Sequence, residues 1–317
     1  LYAGKLSTLK LRTLVALIPS VILVILSALH SGGVTLAGGM GNLSVAALMC
    51  MVLLLQVMLT GLDVFTDGLV ALWRRKPDLE SLVALSCICA CVDALYITLT
   101  GSDTAGLPYC AAAALSMACA LWSRRLRYRG LRASFQTISK CKRPYAVAVS
   151  HVDDQGGALL KSPREPEGFV RAAQEASLPD RLYRVLSPFL LAAAVILSLL
   201  TAIVQKAPFL HSLSAMVAAS AGFSMLFCYA LPFSLLAGRL LAQGAAVAGF
   251  TGAAEMYKSR RIVTADTDLF PPGTVSVSGI RVLEGAFTSK VVANTGSLIA
   301  CAGSGLAPVF TELMRQQ

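Results

Sequence analysis

Residues 82–99 read LVALSCICACVDALYITL, a run in which Asp93 is the only charged residue. A helix needs about 20 mostly apolar residues to cross the hydrocarbon core of a bilayer. The run therefore predicts a membrane-spanning helix. Arg74, Arg75 and Lys76 lie shortly before it, and such basic clusters stay on the cytoplasmic side of a membrane.

Five more apolar runs resemble this one in length and composition. They are residues 13–29, 43–62, 107–122, 186–204 and 213–236. Of the 317 residues, 56% are hydrophobic and only 14% are charged, with a mean hydropathy of +0.70. Soluble domains typically have about 25% charged residues. The predicted fold class is a mainly α membrane protein with about six transmembrane helices.

The distribution of basic residues predicts the orientation of these spans. Every lysine and arginine except Lys206 falls on one side of a six-span arrangement. By the positive-inside rule, that side is cytoplasmic. The chain is thus predicted to be a multi-pass protein of the cell membrane with both termini in the cytoplasm. The net charge of +10 is then a topology signal, so the expected partner is the lipid bilayer and not a nucleic acid.

Asp93 is the first candidate for a functional residue. An ionisable side chain within a span is costly and points to function. Cys89 lies on the same helical face as Asp93, and Cys87 and Cys91 share another face. Thiols and a carboxylate suit a soft cation, which makes a metal cation a candidate partner. The alternative is that these cysteines are small apolar core residues and that the aspartate is protonated or reaches the interface.

Two segments outside the spans predict soluble structure. Residues 123–185 form a short α+β insert, in which 144–150 and 158–161 are predicted strands around a turn at Asp153. Residues 239–317 are predicted to begin an α/β domain, with a strand at 261–265 and a hairpin around Ser278 and Gly279. The domain prediction is therefore four helices in 1–122, the insert in 123–185, two helices in 186–238 and the second soluble region in 239–317.

This order of spans, insert and following strand resembles the heavy-metal branch of the P-type ATPases. Residues 68–85, GLVALWRRKPDLESLVAL, are similar to the segment that links the family's second and third spans. Residues 177–184, SLPDRLYR, resemble its entry into the fifth span, and residues 244–255 its glycine-rich stretch beyond the sixth. The resemblance implies an actuator-like insert after the fourth span. It also implies the start of a phosphorylation and nucleotide-binding region after the sixth.

The resemblance also implies a phosphorylation site at the end of the strand that begins near Arg261. The family's motif there is Asp-Lys-Thr-Gly-Thr, and the nearest residues in this chain are Asp266, Asp268, Gly273 and Thr274. These four residues are the candidate catalytic residues, with ATP and magnesium as the implied cofactors. The lysine is absent and extra residues, including two prolines, separate the aspartates from the Gly-Thr pair. A turn-capping role for the aspartates is the alternative.

A metal site is implied in the sixth span. The family's Cys-Pro-Cys aligns with residues 221–223, which carry no ligand, whereas a shifted alignment brings in Cys228. The candidate metal residues are thus Cys89, Asp93 and Cys228, with a heavy-metal cation as the implied substrate.

Three functions are compatible with the sequence. The first is an ATP-driven heavy-metal cation transporter with degenerate motifs. The second is a catalytically inactive relative with a regulatory or partner-binding role, which the altered aspartate motif and the missing Thr-Gly-Glu actuator loop favour. The third is an unrelated secondary transporter, although no inverted repeat indicates one. The sequence identifies no protein partner.

Overall fold

The protein is described from a computed structural model of the whole 317-residue chain. The residues described are 2–32, 42–101, 106–141, 145–153, 156–162, 168–175, 178–259, 261–264, 269, 276–282, 285, 287–304 and 306–316. They divide into two compact units. Leu1–Lys142 and Gly168–Ala254 form the first unit, and Arg143–Glu167 and Glu255–Gln317 form the second.

The first unit consists of helices. In chain order they are α1 (Tyr2–Ser31), α2 (Leu43–Thr60), α3 (Leu62–Trp73), α4 (Leu79–Thr100), α5 (Cys110–Lys140), α6 (Phe169–Gln174), α7 (Leu178–Gln205), α8 (Phe209–Ser220) and α9 (Phe223–Ala242). Helix α10 (Gly249–Lys258) begins in this unit and ends in the second.

Four helices are long and apolar enough to cross a membrane by length and composition. They are Gly4–Ser31, Leu43–Thr60, Leu79–Thr100 and Asp180–Gln205. Large apolar side chains such as Ile18, Val52 and Ile203 are exposed on them. Such surfaces are expected where lipid, and not water, surrounds the helix. The prediction of a helical membrane protein is therefore supported.

The prediction of six continuous spans is wrong for the fourth and sixth runs. The fourth run is only the first part of α5, which continues without interruption into a strongly basic segment after Trp122. The sixth run is divided into α8 and α9, because Ala221 and Gly222 leave the helical conformation. The helix break precedes Pro232, which lies inside α9.

Helices α3 and α4 form a close hairpin. Asp78 caps α4 by accepting a hydrogen bond from the Ser81 backbone N–H at 3.0 Å, and the Ser81 hydroxyl donates to the Gly68 carbonyl at 2.8 Å. A Cβ on Gly68 would lie 2.4 Å from the Glu80 carbonyl oxygen. Only glycine permits this approach of α3 to α4.

The core of the first unit lies where α1, α2, α4 and α5 meet. Its buried residues are mostly small or aliphatic, including Ala16, Leu54, Ala90 and Ala114. Small residues allow membrane helices to approach closely and gain van der Waals contact. A second cluster joins α5 to α9, where a Cβ on Gly130 would lie 2.6 Å from the Phe233 ring.

In the part of the second unit that the structure describes, a small mixed sheet and two complete helices are present. Strand β1 (Ala146–Asp153) pairs antiparallel with β2 (Gly156–Ser162), as the sequence predicts for the insert. Strand β3 (Arg261–Val263) pairs parallel with β2, with Leu159 opposite Ile262. Helices α11 (Thr288–Cys301) and α12 (Ala307–Gln316) follow and contact each other, with Gly296 against Met314.

The predicted start of an α/β phosphorylation-type domain is not present among the described residues. Residues 276–282, which include most of the predicted hairpin, contain no strand. The partner of β3 is a strand of the insert. Since β3 is hydrogen-bonded to β2, the sheet joins the insert to a segment about 100 residues further along the chain.

Candidate functional site

The most buried charged side chain among the described residues is Asp93. It lies in the second half of α4 and has no exposed surface. The surrounding residues of α4, such as Ala90, Ala94 and Ile97, are also fully buried. A carboxylate in such surroundings is unfavourable unless other groups bind it.

Two polar side chains from α8 bind one oxygen of this carboxylate. His211 Nδ1 lies 2.9 Å from Asp93 Oδ2, and the Ser214 hydroxyl lies 3.0 Å from the same oxygen. His211 and Ser214 are three residues apart, so they project from one face of the helix. The Tyr109 ring lies 4.8 Å from the imidazole, centroid to centroid.

The second oxygen of the carboxylate has a different environment. Asp93 Oδ1 is buried and has no hydrogen-bond partner among the described residues. Buried polar atoms are nearly always paired, with protein or with bound water. The three side chains therefore form a polar site, between two apolar helices, with one acceptor position available to a cation, a proton donor or a water molecule.

The thiols near this site make other contacts. The Cys87 thiol lies 3.7 Å from the Ala113 carbonyl oxygen, and the Cys91 thiol lies 3.7 Å from the sulfur of Met58. Cys89 is half-buried and Cys228, on α9, is exposed. No three His, Cys, Asp or Glu side chains of the described residues are close enough to hold one metal ion. The metal-binding role of Cys89, Asp93 and Cys228 stays a prediction.

The candidate phosphorylation residues lie outside the described residues. These are Asp266, Asp268, Gly273 and Thr274. Their catalytic role, with ATP and magnesium, also stays a prediction.

A second polar cluster connects α3, α4 and α5. Arg124 Nε donates to Glu80 Oε1 at 2.7 Å and a terminal nitrogen donates to Asp67 Oδ2 at 2.7 Å, while a further bond joins the guanidinium to the other Glu80 oxygen. Burial disfavours the charged form of Arg124, but the hydrogen bonds and negative charges of Glu80 and Asp67 outweigh it and raise its pKa. The cluster is a fixed ion-pair network.

No protein-family model matches this sequence, and a comparison with curated proteins finds no match.

Sequence reasoning found Asp93 but missed its two partners. Asp93 and His211 are 118 positions apart, and the three histidines of the chain follow no metal motif. One signal was present. The start of α8 is polar although the helix is otherwise mostly apolar, since it contains His211, Ser212 and Ser214. Polar residues inside a membrane bundle usually pair with one another.

Proposed function

We propose that this chain is a membrane transport protein that moves a small cation, with Asp93, His211 and Ser214 as its intramembrane site. The observation that carries the proposal is the fully buried Asp93 carboxylate, held through one oxygen by α8 while the other oxygen has no described partner. Ionisable residues inside membrane bundles are expensive, and they usually belong to ion or proton pathways.

The break between α8 and α9 supports the same proposal. Transporters often use interrupted helices, whose free carbonyl groups coordinate ions near the middle of the membrane. Ser214 belongs to α8, which ends at Ser220, so the carboxylate site and the break lie on the same short helix. The break at Ala221 and Gly222 also falls where the Cys-Pro-Cys of heavy-metal P-type ATPases aligns.

The full proposal follows that resemblance: the chain is related to ATP-driven heavy-metal cation pumps, with degenerate phosphorylation and metal motifs. Arg74, Arg75, Lys76 and the basic half of α5 then face the cytoplasm. The heavy-metal cation is the proposed substrate, and ATP with magnesium supplies the energy.

The second candidate is a catalytically inactive relative with a regulatory or partner-binding role. It is favoured by the sequence between Asp266 and Thr274, where two prolines remove backbone N–H groups that could bind phosphate. This candidate keeps the membrane bundle and has no phosphorylation cycle.

Phosphoenzyme formation distinguishes the two candidates. The full-length protein is purified and incubated with labelled ATP, magnesium and a panel of Zn²⁺, Cd²⁺ and Ag⁺, and acyl phosphate is trapped in acid. Cation-dependent label that disappears in Asp266→Asn or Asp268→Asn supports the pump. If no cation produces label, the ATP-driven proposal is wrong and the inactive relative is favoured.

Cation binding tests the intramembrane site independently of ATP. Binding of Zn²⁺, Cd²⁺ and Ag⁺ to the detergent-purified chain is measured by equilibrium dialysis for wild type, Asp93→Asn and the matched control Asp63→Asn. Asp63 is an exposed carboxylate of α3. We expect Asp93→Asn to remove at least one bound cation and Asp63→Asn to remove none. Unchanged binding in Asp93→Asn would exclude the site.

A further inference from the structure

A small cavity lies between α1, α3 and α5, away from the Asp93 site. Its volume is about 130 Å³. Its lining consists of Lys5, Thr8, Leu9, Arg12, Asp63, Val64, Leu121, Arg124 and Tyr128. Leu9, Val64 and Leu121 are buried and form an apolar floor, while the charged residues surround it. Cavities for drug-sized ligands are typically about 300–1,000 Å³, so this one suits a single small group.

The charges around the cavity are predominantly positive. Lys5 and Arg12 come from α1, and Arg124 comes from α5. Asp63 is the only acidic residue of the lining and pairs with Arg12 in an exposed ion pair. Exposed ion pairs contribute little free energy, so a stronger anion can displace this one.

The remaining charges differ in their availability. Arg124 is already bound to Glu80 and Asp67, so these two carboxylates offset its charge and the attraction for an anion comes from Lys5 and Arg12. Lys5 has no carboxylate partner among the described residues; its ammonium lies 6.0 Å from the Tyr128 ring centroid. An anion in the cavity would gain Lys5 as a new partner and share Arg12 with Asp63.

The cavity lies at the level where three apolar segments end. Arg12 immediately precedes the apolar run 13–29, Asp63 follows the end of α2 at Thr60, and Arg124 follows the apolar start of α5. The change from apolar to charged residues on three adjacent helices marks the headgroup layer of a membrane. Basic pockets between helices at this level bind anionic lipid headgroups.

We propose that this cavity is a binding site for a phosphate group, supplied by the headgroup of an anionic phospholipid or by free phosphate. The Lys5 ammonium and the Arg12 guanidinium donate to the phosphate oxygens, and the apolar floor accepts the adjoining glycerol or acyl carbons. The site is separate from cation translocation and does not depend on it.

The test uses the purified chain in a neutral maltoside detergent, in which lipid binding is titrated by native mass spectrometry. The probes are dioctanoyl phosphatidylglycerol, dioctanoyl phosphatidylcholine and inorganic phosphate at constant ionic strength. We expect phosphatidylglycerol to bind at least tenfold more tightly than phosphatidylcholine. If inorganic phosphate displaces phosphatidylglycerol at a concentration similar to that at which the lipid itself binds, free phosphate is the source of the bound group. If neither anion is preferred over phosphatidylcholine, the proposal is wrong.

Three variants separate a built site from diffuse charge attraction. Lys5→Gln removes a lining cation and is expected to weaken binding of the anion roughly fivefold, the effect of one basic residue near an anionic surface. Thr8→Phe fills the cavity mouth without changing the net charge, and it should weaken binding of the anion at least as much as Lys5→Gln does. Lys10→Gln removes an exposed cation of the same helix that does not line the cavity, and should leave binding unchanged.

Lys5, Thr8 and Lys10 are all exposed, so none of the three variants should disturb the fold, and an unchanged melting temperature without lipid checks this. Equal weakening by Lys5→Gln and Lys10→Gln, or full binding by Thr8→Phe, would overturn the assignment of the anion to this cavity.

Discussion

His211 Nδ1 lies 2.9 Å from Asp93 Oδ2, so an imidazole from α8 faces a carboxylate of α4 that has no exposed surface. The pair joins two helices inside the apolar bundle. Its energetic importance can be measured separately from any transport function.

A double-mutant cycle should show strong coupling between these residues. His211→Ala leaves the buried Asp93 carboxyl with one hydrogen-bond partner fewer, and an unsatisfied buried polar group typically lowers the free energy of unfolding by about 1–3 kcal/mol. In an Asp93→Asn background, the same His211→Ala change should cost far less. Urea or detergent unfolding of the four proteins gives the coupling energy, for which about 0.5–3 kcal/mol is typical of residues in contact.

Additive effects of the two substitutions would contradict the pairing. Ser214→Ala is a useful comparison, because it removes one hydrogen bond to the same carboxylate oxygen. It should lower stability by about 1–3 kcal/mol, the usual effect of leaving a buried charged group less well bound.

Arg124 should be difficult to replace, even by lysine. Its guanidinium binds both oxygens of Glu80 and also Asp67, a geometry that a lysine ammonium cannot reproduce. Arg124→Lys is expected to lower the free energy of unfolding by about 1–3 kcal/mol. Arg12→Lys, at the exposed pair with Asp63, should change it by less than about 1 kcal/mol. Thermal unfolding in detergent is a suitable measurement.

The contribution of Arg124 should not depend on pH between pH 7 and pH 9. Its pKa in the folded protein is raised above an already high ordinary value by Glu80 and Asp67. A group with a raised pKa contributes its full stability below the unfolded pKa and loses it only as the pH rises through the folded one. The difference between wild type and Arg124→Lys should therefore be the same at pH 7 and pH 9. If the stability difference decreases from pH 7 to pH 9, Arg124 does not stay charged and bound to Glu80 and Asp67 over this range.

Gly130→Ala should separate α5 from α9. The added methyl group would lie 2.6 Å from the buried Phe233 ring, and overpacking of this kind usually costs about 1–3 kcal/mol. Gly238→Ala in α9 is the matched control, because no atom lies within 4 Å of its added Cβ. Replacing a helical glycine by alanine in open space should be neutral or stabilising by up to about 1 kcal/mol. Equal melting temperatures of the two variants would contradict the close contact.

Thiol labelling should report the proposed topology. Cys141 and Cys301 are exposed, and Cys87 and Cys110 are buried. In the proposed orientation, with the basic segments in the cytoplasm, a membrane-impermeant maleimide should label Cys141 and Cys301 only in inside-out vesicles. Cys228 is exposed on the apolar helix α9 and should react only with a lipophilic reagent. Labelling of Cys141 from the outer side of sealed right-side-out vesicles would overturn the orientation.

Some features of the fold follow from local composition and were predictable. A long apolar run has only one stable form in lipid, the helix, because every backbone N–H and C=O must be bonded within the segment. This reasoning correctly predicted the helices that contain residues 13–29, 82–99 and 186–204. It also predicted a helix over 43–62, which ends at Thr60. The hairpin of the insert was predictable from local sequence as well, because turn-forming residues from Asp153 onward separate two short runs of alternating residues.

Length alone misled the prediction where a run of apolar residues did not correspond to a single helix. Residues 107–122 join a basic segment in α5 because nothing at Trp122 stops a helix, and 213–236 are interrupted at Ala221 and Gly222, not at Pro232. A count of apolar residues measures the tendency to leave water. It does not show where hydrogen bonding along the helix is broken.

By itself, the sequence determined that the chain forms helices long and apolar enough to cross a membrane and that Asp93 lies within one of them, because hydropathy acts on each segment separately. Only the tertiary structure decided that His211 and Ser214 bind Asp93, that Lys5, Arg12 and Arg124 surround one cavity, and that β3 pairs with β2. Each of these contacts joins segments far apart in the chain, and such contacts depend on the packing of whole helices and strands, which no local pattern specifies.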